Sequence, residues 1–460
     1  MPLSDRISAL DAPPLAVAMA RTLRAVTLED LPVAVIDKVK ICLFDFVGCA
    51  FESHALPWSR QARALTERLA DEALGASIIG TPGRVSAADA AFANAVMGHG
   101  LVREDMHSGS ISHLGIVVLP TLLALAPRRR VSGREFILAA VAGYEAGAKL
   151  GRAVMDAEVA KIHRPTGVTG PTAGAAAGAR LLGLDEGETT TALALAANTT
   201  LGLNQWAHTG GSEMFFQAGI AARNAVLAVR LAESGAFASP SALDGEAGLF
   251  AAFGKRATAR IALFAGAPEI LAVYHKPVPA CNFAQTASQA ALRLSHEAGF
   301  AVDDIETIAV RVPRAGMLYP GCNHRGPFAH VLQAKMSIQY NVAAALLERG
   351  VTEHNFALLE DPRLHRLIAA MTLEVDDAMS RVYPGLQGGE VALGLRDGSS
   401  RRLRLDDVVN ATPDEVRARF RGAVAAAIGA PRAEVVENTI AHLEDSDDVA
   451  QLGALLAGAS

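Results

Sequence analysis

The repeat length of the apolar pattern changes twice along this chain, and that constrains the fold more tightly than any single motif. From Pro14 to about Pro240 the spacing is helical. TLEDLPVAVIDKVKICLFDFVGCAF sets Ile36, Val39, Leu43 and Phe46 on one stripe, with acids and Pro32 at the start, where a helix N-terminus favours them. SAADAAFANAVMGHGLV, SGREFILAAVAGYEAGAKLGRAV, DEGETTTALALAANTT and FFQAGIAARNAVLAVRLAESG repeat the theme, rich in alanine and mostly opening near Ser, Asp or Thr caps. Near residue 268 the period shortens. IETIAVRVP and MTLEVDD read as strands, and EVALGLRDGSSRRLRL as a hairpin turning at Asp397-Gly398, with helices around Thr286–His296 and Lys335–Glu348. TPDEVRARFRGAVAAAIG then returns to a capped helix. The expected fold is mainly α: a large all-helical domain from residues 1–267 and 406–460, with a smaller α+β lid domain, residues 268–405, inserted between them.

A chain of 460 residues is longer than one hydrophobic core usually serves, which agrees with two domains. With 51% hydrophobic and 20% charged residues it is globular, and a net charge of −6 gives no basic surface for nucleic acid or an anionic membrane. No apolar run reaches the ~18 residues of a membrane span, and the N-terminus lacks the pattern of a signal peptide, so a cytoplasmic location with reduced thiols is expected. Cys42, Cys49, Cys281 and Cys322 form no CxxC pair or ligand-spaced cluster, so no metal is expected. Cys42 and Cys49 read as one buried helix face.

The densest chemistry lies in GHGLVREDMHSGSISHLG, where His99, Arg103, Glu104, Asp105, His107 and His113 fall within fifteen positions. Histidine titrates near neutrality and serves as acid or base, so the cluster suits proton transfer or anion binding, with surface packing or a His/carboxylate metal site as rivals. His99, just after an apolar helix, reads as a packed or capping group. In GVTGPTAGAAAGARLLG, Gly170, Gly174 and Gly178 recur every four residues with no preceding strand and no P-loop lysine, which makes a close-packed helix face rather than a phosphate loop. His163 and Arg164 precede that helix; they are either a surface pair or a carboxylate clamp. Lys276, in the proline-stiffened YHKPVPACNFAQ, either snorkels to water or holds an anion or acts as a base. Tyr319, His324 and Arg325 in GMLYPGCNHRGP read by spacing alone as an exposed loop. No GxSxG elbow or nucleotide fingerprint is present, and nothing demands a cofactor.

Together, and in order, these stretches resemble the MmgE/PrpD family, which includes 2-methylcitrate dehydratases, cis-aconitate decarboxylases and iminodisuccinate epimerase. GHGLVREDMHSGSISHLG is similar to its His-Ala-Leu-Glu-x-Asp-Asp-x-His…Thr-His-Pro-Gly segment, and HRPTGVTGPTAGAAAGARLLGL to its His-Pro-Thr-Gly-Thr…Gly-Ala-Ala-Ala segment. FFQAGIAARNAV, HKPVPAC, AKMSIQYNVAAALL and the late hairpin also match. The resemblance implies a homodimer with an active site between two domains. It implies catalytic roles for His113, Asp105, Lys276 and Tyr319, and substrate contacts from Arg164, His163, His107 and Arg103. Four family positions carry other residues here: Val102 for an acid, Arg164 for a histidine, Met214 for a lysine and Gln285 for a histidine. The expectation is a lyase without cofactor or metal, abstracting a proton beside a carboxylate of a small di- or tricarboxylic acid. A two-carboxylate or non-citrate acid suits the lost cationic groups. The alternatives are an epimerase or isomerase of a substituted dicarboxylate, or an inactive relative that binds a metabolite.

Overall fold

A computed structural model describes residues 13–66, 75–200, 202–254 and 261–458. The elements used below are labelled in chain order. Helices α1 (Ala34–Glu52), α2 (Ala87–Gly98), α3 (Gly115–Leu125), α4 (Gly133–Val154), α5 (Pro165–Leu182) and α6 (Glu213–Glu233) come first. Helix α7 (Gln285–Ser295) precedes strand β1 (Ile305–Val312); helix α8 (Ile338–Glu348) and strands β2 (Met371–Val375), β3 (Gly389–Leu395) and β4 (Ser400–Leu405) follow, and α9 (Pro413–Ile428) closes the series. The fold is mainly α, as the periodicity predicts. Local chemistry sets the helix starts: Ser132 with Glu135 and Thr412 with Glu415 form capping boxes, and Pro165 takes the first position of α5 behind Arg164.

The alanine- and glycine-rich faces do what small side chains allow. Helix α5 lies against α3, α4 and α6, and a Cβ built on Gly174 would come 2.6 Å from that of Ala225 on α6. A Cβ on Gly147 of α4 would come 2.6 Å from that of Ala173 on α5, so the two backbones touch without intervening side chains. Cys42 and Cys49 are buried in α1, as their spacing predicts, and α9 returns to pack on that helix. The strands form one sheet in the order β2–β1–β3–β4, with β1 parallel to β2 and the other pairs antiparallel. The β3–β4 hairpin turns at Asp397-Gly398, and Gly398 has a φ of 80°. Helices α7 and α8 pack together, and α7 also covers β3 and β4. The helix expected over Lys335–Glu348 is interrupted: Val331–Met336 ends at Ser337, whose hydroxyl then caps α8. Among the described residues no helix is long and apolar enough to cross a membrane.

Candidate active site

Between α2 and α3 the chain leaves helical structure and folds the histidine segment into the protein interior. Two β-branched residues there, Val102 and Ile111, hold left-handed φ values of 59° and 54°. Each costs on the order of 1–2 kcal/mol of backbone strain, and such strain persists where the surroundings fix it, as at functional sites. Met106 pairs with Tyr274 through two backbone hydrogen bonds of 2.9 Å, which brings the 274–283 segment alongside.

Where these segments meet, Val102, Met106, Ile111, His113, Arg164, Met214, Cys281, Asn282, Phe283, Tyr319 and Met336 line a narrow cavity of about 20 Å³. His113 is its base. Its backbone N–H donates to Thr166 Oγ1 (3.1 Å), its Nδ1–H donates to the Asp105 carbonyl oxygen (2.9 Å), and Glu104 Oε1 lies 3.0 Å from the same nitrogen. Since Nδ1 carries the proton, Nε2 keeps its lone pair. Burial, with Lys276 adding to it, holds this imidazole well below the usual histidine range, so it is neutral at physiological pH.

Behind it runs a buried relay. Arg164 Nη2 donates to His99 Nε2 (2.8 Å), and His99 Nδ1 donates to Glu104 Oε1 (2.7 Å). Burial opposes ionisation of Glu104, but His99, Lys276 and His113 outweigh it and hold the carboxyl well below its usual range. Arg164 Nη1 donates to Tyr319 Oη (3.4 Å), which leaves the phenol proton free for a ligand. Lys276 is fully buried and donates to the carbonyls of Val102 and Ala280, so it does not snorkel. Burial lowers its pKa, while Glu104 works to keep it charged.

Three of the residues singled out from the sequence thus line the cavity: His113, Arg164 and Tyr319. Tyr319 is buried, not on an exposed loop as its spacing suggested. Lys276 stands behind the wall. Asp105 points away from the cavity: its carboxylate accepts from Tyr144 Oη and the Gly115 N–H, anchoring α3, and burial pushes its pKa up to about 6. Only its carbonyl serves the site. Arg103 is bound to Glu52, and His107 to Ser110 and Glu269, so neither reaches the cavity. His163 turns the other way from Arg164, onto the edge of Phe253. His99, read as a packing or capping group, does cap α2 and also forms the middle of the relay. Glu104 was the residue sequence reasoning passed over; its position between three basic neighbours becomes visible only in the fold. Of the departed family positions, Val102 and Met214 form cavity wall, whereas Gln285 brackets the Val278–Cys281 backbone with four hydrogen bonds. Among the described residues no group of three or more His, Cys, Asp or Glu is arranged to hold a metal ion.

The cavity thus sets a buried neutral imidazole beside an arginine and a phenol in a mainly helical scaffold. Residues 17–293 match the MmgE/PrpD N-terminal domain and 278–445 the MmgE/PrpD C-terminal domain, so the chain belongs to the MmgE/PrpD family. It is 28% identical to a cis-aconitate decarboxylase-like protein of Aspergillus oryzae, over 94% of each chain. It is 25% identical to a cis-aconitate decarboxylase of Aspergillus terreus (93% of each) and 26% identical to the Homo sapiens cis-aconitate decarboxylase (81% of this chain, 79% of that one). With such relatives along its length, the chain is an enzyme of the lyase type.

Proposed function

We propose that this lyase works by proton abstraction next to the carboxylate of a small acid, with His113 as the base. The observation that carries the reading is the hydrogen bond of His113 Nδ1 to the Asp105 carbonyl: it assigns the proton to Nδ1, so the ring that lines the same cavity as Arg164 and Tyr319 keeps its lone pair on Nε2. The substrate carboxylate sits on the Arg164 guanidinium and the Tyr319 hydroxyl, where a planar donor fork fits it best. As the C–H bond breaks, negative charge spreads onto that carboxylate, and the same donors stabilise it. Expulsion of a β-hydroxyl then forms the C=C bond, and the proton held by His113 goes to the departing oxygen, so water leaves and the base is regenerated. Side chains alone carry such a transfer. Decarboxylation is the second reading, favoured by the names of the relatives. None of these three is named an epimerase, and nothing favours that alternative or an inactive metabolite-binding relative. A homodimer and a cytoplasmic location remain part of the proposal, from the family resemblance and the sequence.

The test is deuterium incorporation, read by NMR, when the protein is incubated with candidate acids in heavy water. Exchange at the carbon next to the carboxylate, lost in His113→Ala at unchanged melting temperature, is the expected result. Undiminished exchange in His113→Ala would remove the base assignment.

A further inference from the structure

The cations around the cavity are not paired as the others are, and the difference bears on the substrate. The other strongly buried cations have carboxylates of their own: Lys40 pairs with Glu444 at 2.6 Å, Lys335 with Glu353 at 2.7 Å, and Arg103 with Glu52. Behind the cavity, Arg164 and Lys276 share a single carboxylate, Glu104, reached by Arg164 only through His99. Neither is directly paired with a carboxylate among the described residues. Arg164 is the member of this cluster that lines the cavity, and it does so with no carboxylate in contact with it.

The remaining lining offers no second lysine or arginine for another anion. Val102, Met106, Ile111, Met214, Phe283 and Met336 are apolar. Asn282 accepts from Tyr274 and gives one amide N–H to Gln387 (2.7 Å), and the Cys281 sulfur lies 3.5 Å from that of Cys322. A carboxylate moved from water onto thioether and phenyl groups loses its hydration without replacement, which costs several kcal/mol.

We propose that the substrate carries one carboxylate, seated on Arg164 and Tyr319, and an uncharged, largely apolar remainder that lies against Met214, Phe283 and Met336. This rests on the reading of the cavity as the reaction site and departs from the di- or tricarboxylic acid that the resemblance implies. It also favours β-elimination over loss of carbon dioxide, because the only carboxylate is the one held by the arginine.

A matched pair of ligands tests it: angelate, and citraconate, which has a carboxylate where angelate has a methyl group. Calorimetry on the full chain should give angelate an affinity at least about tenfold above that of citraconate. Met214→Lys, which places an ammonium in the apolar wall, should invert the order. Met336→Lys does the same from a second position in the apolar lining and serves if the first variant misfolds. Wild-type protein that binds citraconate as well as angelate overturns the one-carboxylate proposal and leaves the proton-transfer reading standing. Angelate binding that persists in Arg164→Met, or no binding of either acid, overturns the site itself and with it the proposed function.

Discussion

The wall of the cavity that carries His113 and Arg164 and the wall that carries Met214, Phe283 and Met336 are about equally buried, yet they are held by different forces. On the first, nearly every polar atom has a named partner: Thr166, the Asp105 carbonyl, Glu104, His99 and Tyr319 fix two side chains through directed bonds. On the second, contacts are van der Waals only and the side chains are mostly unbranched. Directed bonds fix where a proton goes; apolar surface selects what shape and charge can come near. The difference separates rate from choice of substrate, and each wall can be perturbed without the other.

The largest effect is expected on the polar wall. His113→Ala should lower turnover, or exchange in heavy water, by roughly 10³–10⁴-fold, the upper range for a lost general base, with the melting temperature nearly unchanged. Lys276→Met comes next and should show in stability. It leaves the Val102 and Ala280 carbonyls without their donor and removes a charge that stabilises Glu104 at a distance, so denaturant titration should report a loss of about 1–3 kcal/mol. A variant as stable as wild type would mean that Lys276 is not the counter-charge of Glu104. Glu104→Gln keeps the shape and removes the charge. It should fold, lose about 10²-fold in turnover, and show a shifted pH–rate profile, because His113 no longer has a carboxylate to hold its Nδ1 proton. An unchanged pH profile would sink the relay.

The smallest effect concerns acid. Burial lowers the pKa of His99, His107 and His113, so between their folded values and about 6.5 the unfolded chain takes up protons that the folded chain refuses. Stability is therefore lost as the pH falls below about 6.5, by up to about 1.4 kcal/mol per histidine for every tenfold by which folding weakens its hold on the proton. Asp105, raised from 3.8 to about 6, and Glu145, also raised by burial, act in the opposite sense as the pH falls, but His54 and His324 are lowered too, so the histidines outnumber them. Melting curves between pH 7 and 5.5 should show a shallower decline in His113→Asn than in wild type. Parallel curves would mean that His113 is not held neutral by burial.

The helical faces, the hairpin at Asp397-Gly398 and the cavity role of His113, Arg164 and Tyr319 were legible in the sequence because they follow from spacing or from motif. The parallel pairing of β1 with β2 was not, since neither strand carries a signal of its neighbour. Nor was the direction each site residue faces. Glu104 and Asp105 are adjacent, but one turns to the histidines and the other to Tyr144, a partner 39 positions away. Arg103 finds Glu52 across 51 positions. In a segment bent by two left-handed residues no periodicity predicts which side a side chain takes.

The glycine contacts between α4 and α5 have a mechanical corollary. Two helices that touch through backbone have no side chain to swing aside, so the pair is stiff and cannot slip by a fraction of a turn. Gly151 closes on Ser110, and Thr166 at the start of α5 grips the His113 backbone, so the base is bolted to that pair. A cavity of about 20 Å³ has room for little more than one water and must widen for any acid to arrive. Of the lining side chains, the thioethers of Met106, Met214 and Met336, which rotate about three bonds each, adapt most readily. The protein thus sets a stiff frame behind His113 and adaptable thioethers in the lining of the same cavity.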